Sequence, residues 1–87
     1  MTVDIPAILA QAIGCRSIII EAVTVDEALA KMRAHPKLGP LIFDESNTPR
    51  RHVLIFVNDV ALQHLPSLEI DLKPGDRISV VQAVSGG

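Results

Sequence analysis

The sequence predicts an α+β domain in which a mixed four-stranded sheet carries one main helix across one face. Three observations lead there. Segments rich in β-branched residues stand at 2–5, 17–23, 52–58 and 77–84. One capped amphipathic stretch lies between the second and third of them, opened by Thr24 and closed by Pro36. Turn signatures separate the later segments, of which Pro74-Gly75-Asp76 is the clearest: Pro presets φ and Gly takes the left-handed position.

Each element follows from its own residues. Val3 and Ile5 alternate with Asp4, a strand pattern. Pro6 and the run 7–13 leave that strand, and Gly14 marks a turn. The β-branched segment 17–23 then reads as the second strand of a hairpin. Thr24 with Glu27 three residues later forms a capping-box pattern, and Val25, Ala28, Leu29 and Met32 make one apolar stripe. Residues 37–51 form a long connection with a polar centre, flanked by Leu38, Leu41, Ile42 and Phe43, which are expected to pack down as a short helical turn. The third strand, 52–58, ends at an Asn58-Asp59 turn; 62–72 is irregular; 77–84 is the last strand.

A single apolar stripe requires the helix to lie on one sheet face. The helix separates the first hairpin from the rest, so the first and last strands can pair in parallel at the centre. The expected order is second, first, last, third strand, the β-grasp arrangement. Strand parity points Val3, Ile5, Ile18, Ile20, Ile55, Val57, Ile78 and Val80 toward the helix. It points Asp4, Ile19, Glu21, Leu54, Phe56, Ser79 and Val81 away from it. Ile19, Leu54, Phe56 and Val81 would then form an apolar patch on the open face, the kind of surface that marks an interaction site. The alternative is that the 37–51 connection folds over it.

Bulk properties narrow the function. With 87 residues the chain makes one domain, 1–84, followed by a flexible Ser85-Gly86-Gly87 tail. The core must be aliphatic, since Phe43 and Phe56 are the only aromatics. A net charge of −2 with scattered basic residues leaves no footprint for nucleic acid or an anionic membrane. Cys15 is alone, which fits a reducing cytosol. No intrinsic active site emerges. His35, His52 and His64 lack metal-ligand spacing, so neither a metal site nor a catalytic residue is assigned. Cys15 sits beside Arg16 in a turn, and a lone turn cysteine specifies little chemistry. Arg50-Arg51 reads as a solvated loop pair, with contact to an acidic partner the other possibility.

The tail is the sharpest feature. Glycine has no Cβ and makes the thinnest backbone, so Gly86-Gly87 suits a segment that threads a narrow channel to present its own carboxylate. A frayed end is the plain alternative. Taken together, Val3-Asp4-Ile5-Pro6, Phe56-Val57-Asn58-Asp59, and Leu72-Lys73-Pro74-Gly75-Asp76 leading to Val84-Ser85-Gly86-Gly87 resemble the ubiquitin-like sulfur carriers over nearly the whole chain. These include the molybdopterin synthase small subunit and the thiamine- and cysteine-biosynthesis carriers. Members often carry aromatic residues and prolines before the tail, where this chain has Val80-Val81-Gln82-Ala83.

The resemblance implies that Gly87 is the modified residue, with Gly86 and Ser85 threading the partner's channel. It implies a protein cosubstrate that is not itself an enzyme and binds no cofactor, ATP and Mg²⁺ being used by an adenylyltransferase of the ubiquitin-activating type. A sulfurtransferase or other persulfide donor and a sulfur-accepting synthase subunit complete the expected partners. The destination stays open between molybdopterin, cysteine and another sulfur-requiring pathway. So do isopeptide attachment through Gly87, a simple β-grasp interaction module, and a small enzyme using Cys15.

Overall fold

The computed structural model describes residues 1–82. Its elements are β1 (Thr2–Asp4), α1 (Ala7–Ile13), β2 (Ser17–Ile19), α2 (Val25–Ala34), α3 (Leu38–Ile42), β3 (Val53–Val57), β4 (Val60–Ala61), a 3₁₀ turn (Leu62–His64) and β5 (Arg77–Gln82). The sheet order is β2-β1-β5-β3-β4. β1 and β5 pair in parallel, and the other pairs are antiparallel. This is the β-grasp arrangement, with α2 as the main helix. The sheet has five strands and not the expected four, because the hairpin after β3 carries the short strand β4.

The hairpin turn is what permits β4. Asn58 and Asp59 both have positive φ, 48° and 73°. Two left-handed residues between Val57 and Val60 make the tight turn whose twist matches that of the flanking strands. At the same end of the sheet, Gly75 has φ 94° after Pro74, as their sequence predicts. Asp76 closes that turn: its N–H donates to Lys73 O at 3.0 Å and its carboxylate accepts from Lys73 N–H at 2.7 Å.

Two segments, 7–13 and 17–23, depart from expectation, and a third, the 37–51 connection, meets it. Residues 7–13 form a helix, α1, so β1 and β2 are not joined by a tight turn. Leu9, Ala10 and Ile13 are its buried face, and Gly14 caps it at φ 94° with its N–H bonded to Ala10 O. β2 covers Ser17–Ile19 only. Ile20 bonds Met1, and the chain then turns away to pair with 70–72, Leu72 N–H donating to Val23 O and Val25 N–H to Ile70 O. The 37–51 connection holds α3, whose Leu38 and Ile42 are fully buried with Phe43 beside them. It packs on α2, where a Cβ on Gly39 would collide with the Arg33 carbonyl oxygen.

The core lies between the sheet and the helices. Val3, Ile5, Ile55, Val57, Ile78 and Val80 from the sheet meet Val25, Ala28, Leu29 and Met32 from α2, all buried. Ile18, also expected inside, is half-buried on the edge strand. Thr24 caps α2 as expected, its hydroxyl accepting from Glu27 N–H at 3.2 Å. Among the described residues no helix is long and apolar enough to cross a membrane.

Candidate functional site

The tail grows from the middle of the sheet. β5 runs between β1 and β3 and reaches Gln82, which lies opposite Val53 at the start of β3. Ser85, Gly86 and Gly87, and the 84/85 domain boundary, lie outside the described residues. Beside Gln82 stands the turn that feeds β3, closed by Val53 N–H donating to Arg50 O at 2.9 Å. Arg51 and His52 form its exposed tip. Gln82 itself is half-buried, and its amide oxygen is enclosed without a hydrogen-bond partner among the described residues.

The open face is less uniform than parity alone implies. Leu54 and Val81 are directly opposed, and Phe56 faces Ser79 in the next row. These three make one apolar cluster, with Leu54 39% and Val81 41% exposed and Phe56 half-buried. Ile19 is 80% exposed but does not join it. The register puts Ile19 opposite Thr2 and Thr2 opposite Arg77. The Arg77–Asp4 ion pair, at 2.8 Å, therefore stands between Ile19 and the cluster. The expected four-residue patch is thus a trio plus an isolated edge isoleucine. Of the 37–51 segment, Leu38, Ile42 and Phe43 enter the core on the helix side, and residues 48–51 flank Leu54 without burying it.

Sequence reasoning missed the flank of this face. Leu54 also lines a groove of about 480 Å³ with Pro49, Arg50, Arg51, Leu62 and Leu68. The signal was present in 62–72, where Leu62, Leu65 and Leu68 recur at every third residue in a stretch read as irregular.

The other candidate residues stay apart. His35 caps the α2–α3 junction, its Nδ1 accepting from Leu38 N–H at 3.0 Å and Lys37 N–H at 3.2 Å. His52 and His64 are exposed on separate elements. Cys15 is exposed in the turn after α1, with no second nucleophile or base beside it in the shallow depression it lines with Arg16. Among the described residues no three His, Cys, Asp or Glu side chains converge on a point where a metal could bind.

Comparison with known proteins agrees with this geometry. The ThiS family model matches residues 3–87. CysO in the Amycolatopsis orientalis BexX/CysO complex is 30% identical, with a TM-score of 0.76 over 99% of this chain and 98% of that one. Mycobacterium tuberculosis CysO is 26% identical, TM-score 0.75, over 95% and 98%. The small archaeal modifier protein 1 of Methanosarcina acetivorans is 27% identical, TM-score 0.78, over 99% and 94%. No curated protein matches in sequence. A terminal Gly-Gly, a β-grasp sheet with the tail on its central strand, and a family match over almost the whole length agree: the chain belongs to the ThiS family of ubiquitin-like sulfur carriers.

Proposed function

We propose that this chain carries sulfur on its own C-terminus, as a cosubstrate for partner enzymes. The observation that carries the reading is Gly86-Gly87 ending a ThiS-family domain a few residues beyond its central strand. A carboxylate is a poor electrophile, so an ATP- and Mg²⁺-using adenylyltransferase first joins AMP to the Gly87 carboxylate and releases pyrophosphate. The terminal sulfur of a persulfide then attacks the acyl carbon and expels AMP. A donor thiol cleaves the resulting acyl disulfide and leaves a thiocarboxylate. The chain supplies no acid, base or metal to these steps. It supplies a thin Gly-Gly tail on which the partner aligns the reacting atoms. The thiocarboxylate would serve molybdopterin, cysteine or another sulfur-containing metabolite, in a reducing cytosol where a free thiol such as Cys15 also persists.

The Leu54–Phe56–Val81 cluster is the surface on which such a partner would dock, being apolar, exposed and on the strands nearest the tail. Intact mass tests the reading. Incubation with the activating enzyme, ATP and a persulfide donor should add about 16 Da, oxygen replaced by sulfur in the acyl exchange. Gly86→Val should block the gain, because a β-branched side chain both widens the tail and restricts φ. Full thiocarboxylate formation in a variant lacking 86–87 would overturn the proposal.

A second reading rests on the likeness to small archaeal modifier protein 1. In it the activated Gly87 is captured by a lysine amine, giving an isopeptide bond. Lysine-linked conjugates in place of the thiocarboxylate would select that outcome.

A further inference from the structure

The flank groove shares Leu54 with the open-face docking surface and otherwise lies outside it, between residues 48–51 and 62–68. Its floor is apolar, formed by Leu54, Leu62 and Leu68, with Pro49 at one end. Its rim is basic, formed by Arg50 and Arg51. Arg50 is held in place, its Nε donating to Pro40 O at 3.0 Å and its N–H to Ile42 O at 2.8 Å. Arg51 is exposed on the turn that opens β3. The ion pairs among the described residues are Lys31–Glu27 and Arg77–Asp4, so neither rim arginine has the carboxylate of a described residue within 4.0 Å.

The tail limits where a partner can sit. Five residues, 83–87, follow Gln82. Fully extended they reach about 18 Å at most. Gln82 lies opposite Val53, which itself lines the groove. A protein that encloses Gly87 sits within about 18 Å of Gln82, a radius that takes in the groove. We infer that the adenylating partner inserts an apolar side chain between Leu54 and Leu68 and sets a carboxylate of its own against Arg51. This rests on the sulfur-carrier reading and deepens it, naming a second contact and its chemistry. The apolar floor supplies the contact; the unpaired rim charge supplies orientation and speeds encounter.

The test uses the full chain with an adenylating enzyme that charges the wild type, followed by pyrophosphate release. Arg51→Glu should raise the KM for the carrier at least tenfold while kcat changes less than twofold. Its KM should also lose most of the wild type's dependence on salt, the signature of a rim charge. Arg51→Lys should restore most of the loss. Leu68→Asp should raise KM in the same way by spoiling the floor. Circular dichroism and melting confirm that each variant is folded. A KM within twofold of wild type for both folded Arg51→Glu and Leu68→Asp overturns the inference and leaves the sulfur-carrier reading standing. A wild-type chain that supports no pyrophosphate release with any adenylating enzyme overturns both.

Discussion

Asp76 shows how much one side chain contributes to the turn that launches the tail-bearing strand. Lys73 N–H, and then the Asn58 side chain, stabilise its charged form and hold its carboxyl below the usual carboxylate range. A depressed folded pKa adds stability above the unfolded value, lost as pH falls through the folded one. Urea unfolding of Asp76→Asn should therefore show lower stability than wild type at neutral pH and a gap that narrows in acid, below the ordinary carboxylate range. Gln82 makes the opposite case. Among the described residues its enclosed amide oxygen has no partner. An unpaired buried polar group costs stability, so Gln82→Leu should gain about 1 kcal/mol in urea unfolding. A loss of stability there would mean that the amide makes a bond the leucine cannot replace.

At the scale of elements, what was legible was what short-range chemistry decides. The Thr24 cap, the α2 stripe, the Pro74-Gly75 turn and the Asn58-Asp59 turn all follow from residues within four positions of one another. The central parallel pair followed from topology, and the inward and outward parity of the strands held. What was not legible was set by distant partners. α1 and β4 have seven and two residues, too short for propensity to hold them alone. β2 stops early because residues 22–25 find better partners at 70–72 than in the sheet. The site divided the same way: the Leu54, Phe56 and Val81 placement came from parity, whereas the ion pair isolating Ile19 depends on inter-strand register. Gly39 gives the element-level test. Alanine there drives a Cβ into the Arg33 carbonyl and must push α3 off α2. Gly39→Ala should cost about 1–3 kcal/mol, the range for overpacked sites, measured by thermal or urea unfolding. A cost near zero would show that the two helices separate freely.

For the whole molecule, the separation of a helix-covered core face from an apolar open face predicts that binding and folding can be altered independently. Val81→Asp places its carboxylate in water in the free chain, since Val81 is 41% exposed. In the proposed docked complex the same carboxylate would be buried and unpaired. Melting should stay within a few degrees of wild type, while affinity for the activating partner falls at least about 100-fold, some 3 kcal/mol. Phe56→Asp alone is the poorer probe because Phe56 is half-buried. An unfolded Val81→Asp chain would show that this face is part of the core. The parallel contact between β1 and β5 has a consequence for synthesis. Thr2 is opposite Arg77, so the centre of the sheet joins the first and last strands of the domain. A nascent chain leaving the ribosome N-terminus first holds β1 without its central neighbour until Arg77–Gln82 have emerged, and the two glycines follow almost at once. The surface formed by Leu54 and Val81 therefore exists only once β5 has paired with β3. On the sulfur-carrier proposal, a partner that recognised this surface would act only on chains whose sheet is complete and would pass over unfolded ones.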